Sequence, residues 1–129
     1  LSAYGGALGM AFQVVDDLLD YTEGQEMTGK PTGLDLREHK VTLPLIAALR
    51  EMPASTRAAV ERLFATPAPD DAQVAEVMAA VAEYGGLEYA RRRGEQFARE
   101  AEEALGALPD TVARSALLDA IGYVMERRW

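Results

Sequence analysis

Apolar residues recur along this chain at three- and four-residue intervals, the spacing of one face of an α-helix. The pattern predicts helices over about residues 1–21, 42–53, 55–65, 70–86, 87–108 and 109–126. No segment alternates apolar and polar residues as a half-buried strand would. The sequence therefore predicts an all-α helical bundle, with neighbouring helices mostly antiparallel where their connections are short.

The first predicted helix carries three carboxylates inside an apolar run. Four polar residues at i, i+3, i+4 and i+7 form one narrow stripe: Gln13, Asp16, Asp17 and Asp20. Apolar side chains cover the remaining surface: Ala11, Phe12, Val15, Leu18 and Leu19. A solvated acidic face is the simpler interpretation, but apolar neighbours flank this stripe on both sides. We therefore expect it to open onto a cavity, with the rest of the helix buried.

The carboxylates of this stripe require a positive partner. Asp16 and Asp20 lie one turn apart, where like charges about 5 to 6 Å from each other repel by about 3 kcal/mol at an effective dielectric of about 20. Oxygen ligands in a chain without cysteine favour Mg²⁺, which takes one or two carboxylates and leaves its other positions to water and phosphate. The stripe therefore predicts a magnesium site for a phosphorylated ligand.

Glycine and proline interrupt the helical periodicity between residues 22 and 39, which predicts a long loop. Gly24 to Lys30 matches the start of a P-loop, but Pro31 stands where that motif requires Ser or Thr, and a helix precedes it. We therefore reject a P-loop. Lys30, and Lys40 just before the next helix, are suited instead to bind phosphate oxygens as point charges. Carboxylates, metal and lysines together describe a diphosphate pocket.

Two other polar residues lie near the end of this loop. Asp35 has capping-box spacing to Glu38, so it caps a helical turn or acts in the outer shell of the metal. His39 is the only histidine, and no carboxylate or hydroxyl stands at a spacing that indicates catalysis. We predict a solvated side chain for His39.

Composition excludes several classes of protein. The 129 residues, 49% of them hydrophobic, suffice for a single core. A formal charge of -8 opposes binding to nucleic acid or to anionic membranes. The absence of cysteine excludes disulfides and thiolate chemistry, and we expect a cytoplasmic protein. No apolar run reaches the roughly 18 to 20 residues of a membrane span, so none is predicted.

The same residues resemble the trans-isoprenyl (polyprenyl) diphosphate synthases, most closely the long-chain bacterial kind. Phe12 to Asp20 is similar to the second aspartate-rich motif of that family, Gly29 to Asp35 to its following loop, and His39 to Pro44 to its next helix start. The resemblance implies that residues 1–129 are the C-terminal portion of a polyprenyl synthetase domain with the isoprenoid synthase fold. By this resemblance, we expect the N-terminal half of that domain to lie outside these 129 residues.

The resemblance implies a prenyltransferase that adds an allylic diphosphate head-to-tail to isopentenyl diphosphate. Asp16 and Asp20 would hold Mg²⁺ on the allylic diphosphate, with Asp17 and Gln13 in support. Asp35 would act through water, and Lys30 and Lys40 would bind diphosphate oxygens. In the family, the first aspartate-rich motif and the isopentenyl diphosphate ligands belong to the other half. We therefore expect this chain to be inactive alone and to form a homo-oligomer through its apolar first helix.

Two other classes stay open. A class I terpene cyclase also uses an aspartate-rich helix and Mg²⁺, although its second metal motif, of the Asn/Asp-Ser/Thr-Glu type, has no counterpart here. A non-catalytic helical partner subunit would need no metal.

Overall fold

The computed structural model describes residues 1–22 and 33–126. Every regular element within these two ranges is an α-helix, which confirms the all-α prediction. The helices are α1 (Ser2–Thr22), α2 (Leu34–Arg37), α3 (Leu43–Leu49), α4 (Ala54–Ala65), α5 (Asp71–Glu83), α6 (Gly86–Leu105) and α7 (Val112–Glu126). None of these helices has the combination of length and apolar character needed to cross a membrane.

The observed helices differ from the predicted ones at three places. The short helix α2 lies inside the segment predicted as loop, since four residues are too few to show a helical period. Helix α3 ends at Leu49, before the predicted end near Pro53, and α6 ends at Leu105 instead of Leu108.

Capping interactions between residues close in sequence mark the ends of several helices. Asp70 and Gln73 form a reciprocal capping box at the start of α5, at 2.8 and 3.1 Å. Before α7, the hydroxyl of Thr111 accepts a hydrogen bond from the amide of Arg114 at 3.2 Å. Gly85 follows α5 with a φ of 78°, the left-handed conformation that ends many helices. Thr42 is the N-cap residue of α3, but its side chain makes no capping hydrogen bond.

The chain divides into two compact units, and each has its own core. The first consists of Leu1–Asp16 and the chain from Arg91 onward, and the second of Asp17–Ala90. In the first unit, Tyr4 and small alanines of α6 pack with Ile121 of α7. The Tyr4 hydroxyl donates to the carbonyl oxygen of Leu117 at 2.9 Å. Leu118 of α7, by contrast, is 38% exposed.

The second unit is built around leucine and valine side chains. Its fully buried members include Leu36, Leu45, Leu63, Val74, Val77 and Val81. Leu36 comes from α2, so even this short helix contributes to the core. Gly86, the first residue of α6, has no room for a side chain: an added Cβ would lie 2.2 Å from the carbonyl oxygen of Pro44.

Helix α1 is less buried than its sequence predicts. Ala11, Val15 and Leu18 are buried, but Met10 and Phe12 are 48% and 46% exposed. No atom lies within 4 Å of a Cβ added at the three glycines of the first turns, Gly5, Gly6 and Gly9. These glycines therefore make no close helix contact within the part of the chain that the structure describes, where the space beside them is open.

Candidate functional site

The polar stripe of α1 runs from exposed to half-buried surface. Gln13 and Asp16 are exposed, whereas Asp17 and Asp20 are half-buried, and Tyr21 beyond them is buried. The stripe therefore becomes steadily more enclosed toward the end of α1. Asp17 and Asp20 belong to the second unit, as do Asp35 and Lys40.

Asp20 joins the end of α1 to the start of α2. Its Oδ1 accepts a hydrogen bond from the amide of Leu34 at 2.9 Å, and its Oδ2 accepts one from the amide of Asp35 at 3.0 Å. The carbonyl oxygen of Asp20 also accepts from the amide of Gly33 at 3.1 Å. The residue at the N-cap of α2, Gly33, has no side chain with which to cap the helix, so the carboxylate of Asp20 takes that role.

Gly33 allows this junction because of its conformation and its lack of a side chain. Its φ is 74°, in the left-handed region that glycine adopts without strain. A Cβ at this position would lie 2.6 Å from Val74 and 2.9 Å from the sulfur of Met78. The close packing of α2 on α5 therefore requires glycine here.

Asp35 lies in the first turn of α2 and does not cap it, so the capping alternative is wrong for this residue. Its side chain is only 18% exposed. Burial raises the pKa of the Asp35 carboxyl, and the charges of Asp20 and Asp17 raise it further, while Lys40 acts in the opposite direction. Three carboxylates are thus close enough to interact electrostatically in the second unit.

Lys40 lies next to these carboxylates. Its amine is 4.0 Å from Oδ1 of Asp35 and 3.7 Å from Oε1 of Glu38, and the side chain is 62% exposed. Its backbone amide donates to the carbonyl oxygen of Asp35 at 2.7 Å, which holds the turn closed. Lys40 is therefore accessible to an anionic ligand. Lys30, the other predicted phosphate ligand, lies outside the described residues.

Two hydroxyls beside this cluster were not identified from the sequence. The hydroxyls of Tyr21 and Thr42 are buried, and neither has a hydrogen bond of normal geometry to another described residue. Burial is the main cause that raises the pKa of Tyr21, and the charges of Asp20, Asp35 and Asp17 raise it further. The nearby hydroxyl of Thr42 lowers this pKa. In the sequence, the only signal for these two hydroxyls is that Tyr21 follows the aspartate stripe directly and that Thr42 directly precedes α3.

His39 is not solvated, and that prediction was wrong. The ring is half-buried against Phe64, with centroids 5.6 Å apart, and Nε2 lies 2.8 Å from the carbonyl oxygen of Thr66. The backbone of His39 has a φ of 60°, which is uncommon for a residue with a side chain. His39 thus fastens the turn that carries Lys40 to the end of α4.

The carboxylates of α1 would hold a metal only together with oxygen atoms of its ligand and of water. Across residues 1–22 and 33–126 no group of three or more acidic or histidine side chains has metal-binding geometry. Mg²⁺ needs only one or two carboxylates when phosphate and water fill its other positions. Each oxygen of Asp20 accepts one amide and keeps a second lone pair. Burial is the main cause that raises the pKa of Asp35, and the charges of Asp20 and Asp17, which raise it further, would also favour a cation here.

The family model described as polyprenyl synthetase matches residues 1–81 of this chain. The chain belongs to the polyprenyl synthetase family. This confirms the resemblance to the trans-isoprenyl diphosphate synthases, which rests on residues of α1 and of the segment before α3.

Relatives support the same assignment over almost the whole chain. The all-trans-nonaprenyl-diphosphate synthase (geranyl-diphosphate specific) of Rhodobacter capsulatus is 37% identical over 127 residues, which is 98% of this chain and 38% of that protein. The chain thus spans well under half the length of this relative.

Solved structures agree on the fold. A decaprenyl diphosphate synthase from Rhodobacter capsulatus matches with a TM-score of 0.83 at 38% identity, over 97% of this chain and 37% of that one. A polyprenyl synthase from Caulobacter crescentus, complexed with calcium and isoprenyl diphosphate, matches with a TM-score of 0.86 at 31% identity, over 98% and 39%. The chain therefore has the helical architecture of part of the isoprenoid synthase fold.

Proposed function

We propose that this chain is the C-terminal portion of a polyprenyl diphosphate synthase and binds an allylic diphosphate through Mg²⁺. The whole enzyme would join that allylic group head-to-tail to isopentenyl diphosphate. One observation carries the proposal: the carboxylate of Asp20 bonds to the first amides of α2. The acidic end of α1 is thereby held beside Asp35 and the turn that carries Lys40.

The proposed division of roles follows the chemistry of the side chains. Asp16 and Asp20, one turn apart on α1, are the metal ligands, with Asp17 and Gln13 supporting them. Mg²⁺ would stabilise the negative charge that develops on the departing diphosphate. Asp35 would bind the metal's water, because its half-buried carboxyl lies next in line to Asp20, whose carboxylate accepts from the Asp35 amide. The Caulobacter crescentus structure supports a divalent cation and a diphosphate ligand in this family.

The lysines would bind the diphosphate directly. The exposed amine of Lys40 can exchange its two carboxylate contacts, at 3.7 and 4.0 Å, for phosphate oxygens. Lys30 is proposed for the same task on sequence alone. The proposed role of both lysines is electrostatic, because an ammonium group stabilises the negative charge of diphosphate oxygens.

The remaining half of the active site is proposed to lie elsewhere in the whole protein. Residues 1–129 cover 38% of the Rhodobacter capsulatus relative, so the ligands of isopentenyl diphosphate are expected outside them. The chain alone should be inactive. Met10 and Phe12, about half exposed on α1, are proposed to contact that missing part or a second copy in a homo-oligomer. A cytoplasmic location without nucleic-acid partners stays part of this proposal.

Titration calorimetry of the chain with geranyl diphosphate, with and without Mg²⁺, tests the proposal. We expect binding that requires Mg²⁺ and that Asp16→Ala or Asp20→Ala abolishes. Lys40→Ala should weaken it by about 1.5 to 3 kcal/mol, the range of a charged hydrogen bond. Asp119→Ala, which removes an exposed carboxylate of α7, is the matched control and should bind normally.

Normal binding by both Asp16→Ala and Asp20→Ala would refute the metal assignment, and no binding by the unmodified chain would favour a non-catalytic partner subunit. Product analysis of the full-length protein supplied with geranyl and isopentenyl diphosphates separates chain elongation from cyclisation. Linear, lengthened diphosphates are expected, whereas a cyclic hydrocarbon would indicate a terpene cyclase.

A further inference from the structure

A concave pocket lies in the second unit, between α3 and α4. Its volume is about 390 Å³, within the range of small-molecule pockets. Five apolar side chains form most of its wall: Val41, Leu45, Leu49, Val60 and Phe64. None of these residues belongs to the proposed diphosphate site, although Val41 follows Lys40 directly.

Two guanidinium groups and one carboxylate complete the wall, from Arg50, Arg57 and Glu61. Arg57 is held in place: its Nε and Nη2 donate to the carbonyl oxygen of Leu49 at 3.1 and 2.8 Å. These two bonds leave three of the five N–H groups of its guanidinium available. The guanidinium of Arg50 makes no ion pair or hydrogen bond with another described residue, so its donors are also available.

Charge distinguishes this pocket from the rest of the chain. The protein carries a formal charge of -8, yet the groups lining the pocket sum to +1, from two arginines and one glutamate. An anion that approaches the chain therefore meets a local positive site beside an apolar wall. A fixed guanidinium is well suited to an oxyanion, because its planar fork binds two oxygens at once.

We propose that this pocket binds a small amphiphile with one anionic head group. Its hydrocarbon tail packs on the valine, leucine and phenylalanine side chains, and its carboxylate or phosphate oxygens bind Arg57 and Arg50. This inference goes beyond the proposed function and does not depend on it, because the pocket contains none of the metal or diphosphate residues. Binding should need no Mg²⁺.

Methyl-detected NMR with octanoate and octyl phosphate as probes tests the proposal on the 129-residue chain. We expect saturable shifts of the Val41, Leu45, Leu49 and Val60 methyl groups in the absence of Mg²⁺. The stronger of the two probes identifies the preferred head group. Octan-1-ol, which has the same tail without a charge, should bind at least tenfold more weakly. Octylammonium, with the opposite charge, should not bind measurably.

Variants separate the roles of the charges. Arg50→Ala should weaken octanoate binding at least fivefold without loss of the fold, since its side chain is exposed. Arg57→Lys keeps the charge but loses the fork, and should also weaken binding. Glu61→Gln should strengthen binding, because it removes the only negative charge of the wall. Arg62→Ala removes an exposed arginine of the same helix outside the pocket, and is the matched control.

Equal affinity for octanoate and octan-1-ol would overturn the proposal, as would shifts that Arg50→Ala and Arg57→Lys leave unchanged. Sedimentation analysis decides the remaining case. If the chain dimerises and Val41→Trp abolishes the dimer, the pocket is an interface between copies, and the proposal is wrong. If the unmodified chain binds octanoate but does not bind geranyl diphosphate, only the proposed function is refuted.

Discussion

The carboxylate of Asp20 accepts a hydrogen bond from the backbone amide of Asp35 at 3.0 Å, fifteen residues further along the chain. A residue predicted only as a metal ligand is therefore also the cap of a short helix. The two roles are compatible because a carboxylate oxygen has two lone pairs. They also predict that Asp20 contributes to stability when no metal is present.

Asp20→Ala should lower the free energy of unfolding of the metal-free chain by about 1.5 to 3 kcal/mol, because two amides lose a charged acceptor. Asp119→Ala, at an exposed position of α7, should change it by less than about 0.5 kcal/mol. Urea denaturation in the presence of a chelator measures both. Equal stabilities of the two variants would show that the capping bonds contribute nothing.

Gly86→Ala should destabilise the second unit by about 1 to 3 kcal/mol, the usual range for overpacking. Its methyl group would lie 2.2 Å from the carbonyl oxygen of Pro44 and 2.9 Å from Val81, so backbone must move. Gly9→Ala is the matched control in α1, where no atom lies within 4 Å. There the methyl group should raise stability by about 0.5 to 1 kcal/mol.

Thermal unfolding of the two glycine variants checks this contrast. A loss of stability in Gly9→Ala would mean that α1 has a close neighbour in solution. That result would favour the self-association proposed for Met10 and Phe12.

Tyr4 should make stability fall at alkaline pH. Burial raises the pKa of its phenol above the ordinary value of about 10. Below that pH the phenol is protonated in both states; above it the unfolded chain ionises first, so stability is lost as pH rises. Tyr4→Phe should cost about 0.5 to 1.5 kcal/mol at neutral pH through the lost bond to Leu117. The cost should shrink above about pH 10.

Chemical denaturation between pH 7 and 11 measures this difference. Tyr123→Phe, at a position 71% exposed, is the control and should show no such convergence. A constant gap between the unmodified chain and Tyr4→Phe across this range would contradict the raised pKa.

Tyr21→Phe should leave stability unchanged or raise it by up to about 1 kcal/mol, although the side chain of Tyr21 is only 9% exposed. Its hydroxyl is buried without a hydrogen bond to a described residue, and removing an unpaired polar group removes its desolvation penalty. Equilibrium unfolding of the metal-free chain measures the change. A loss of more than about 1 kcal/mol would reveal a partner for the hydroxyl in solution.

Features that depend on neighbours in sequence could be predicted without coordinates. The capping box of Asp70 and Gln73 and the glycine stop at Gly85 involve residues within one turn of each other. The spacing of Asp16, Asp17 and Asp20 on one helix is equally local. Such signals act through the backbone periodicity itself, so the helical class and most helix ends followed from them.

Features that depend on residues brought together by folding could not be predicted. His39 has its ring partner at Phe64 and its carbonyl partner at Thr66, and the pocket forms only where α3 meets α4. Helix α2 is too short to be stable by itself and exists because Asp20 caps it and Leu36 is buried. The aspartate stripe was determined by the sequence, whereas the tertiary structure decided that Asp20 also caps a helix. The reason is that helical spacing sets which face a side chain occupies, but only packing brings it a distant partner.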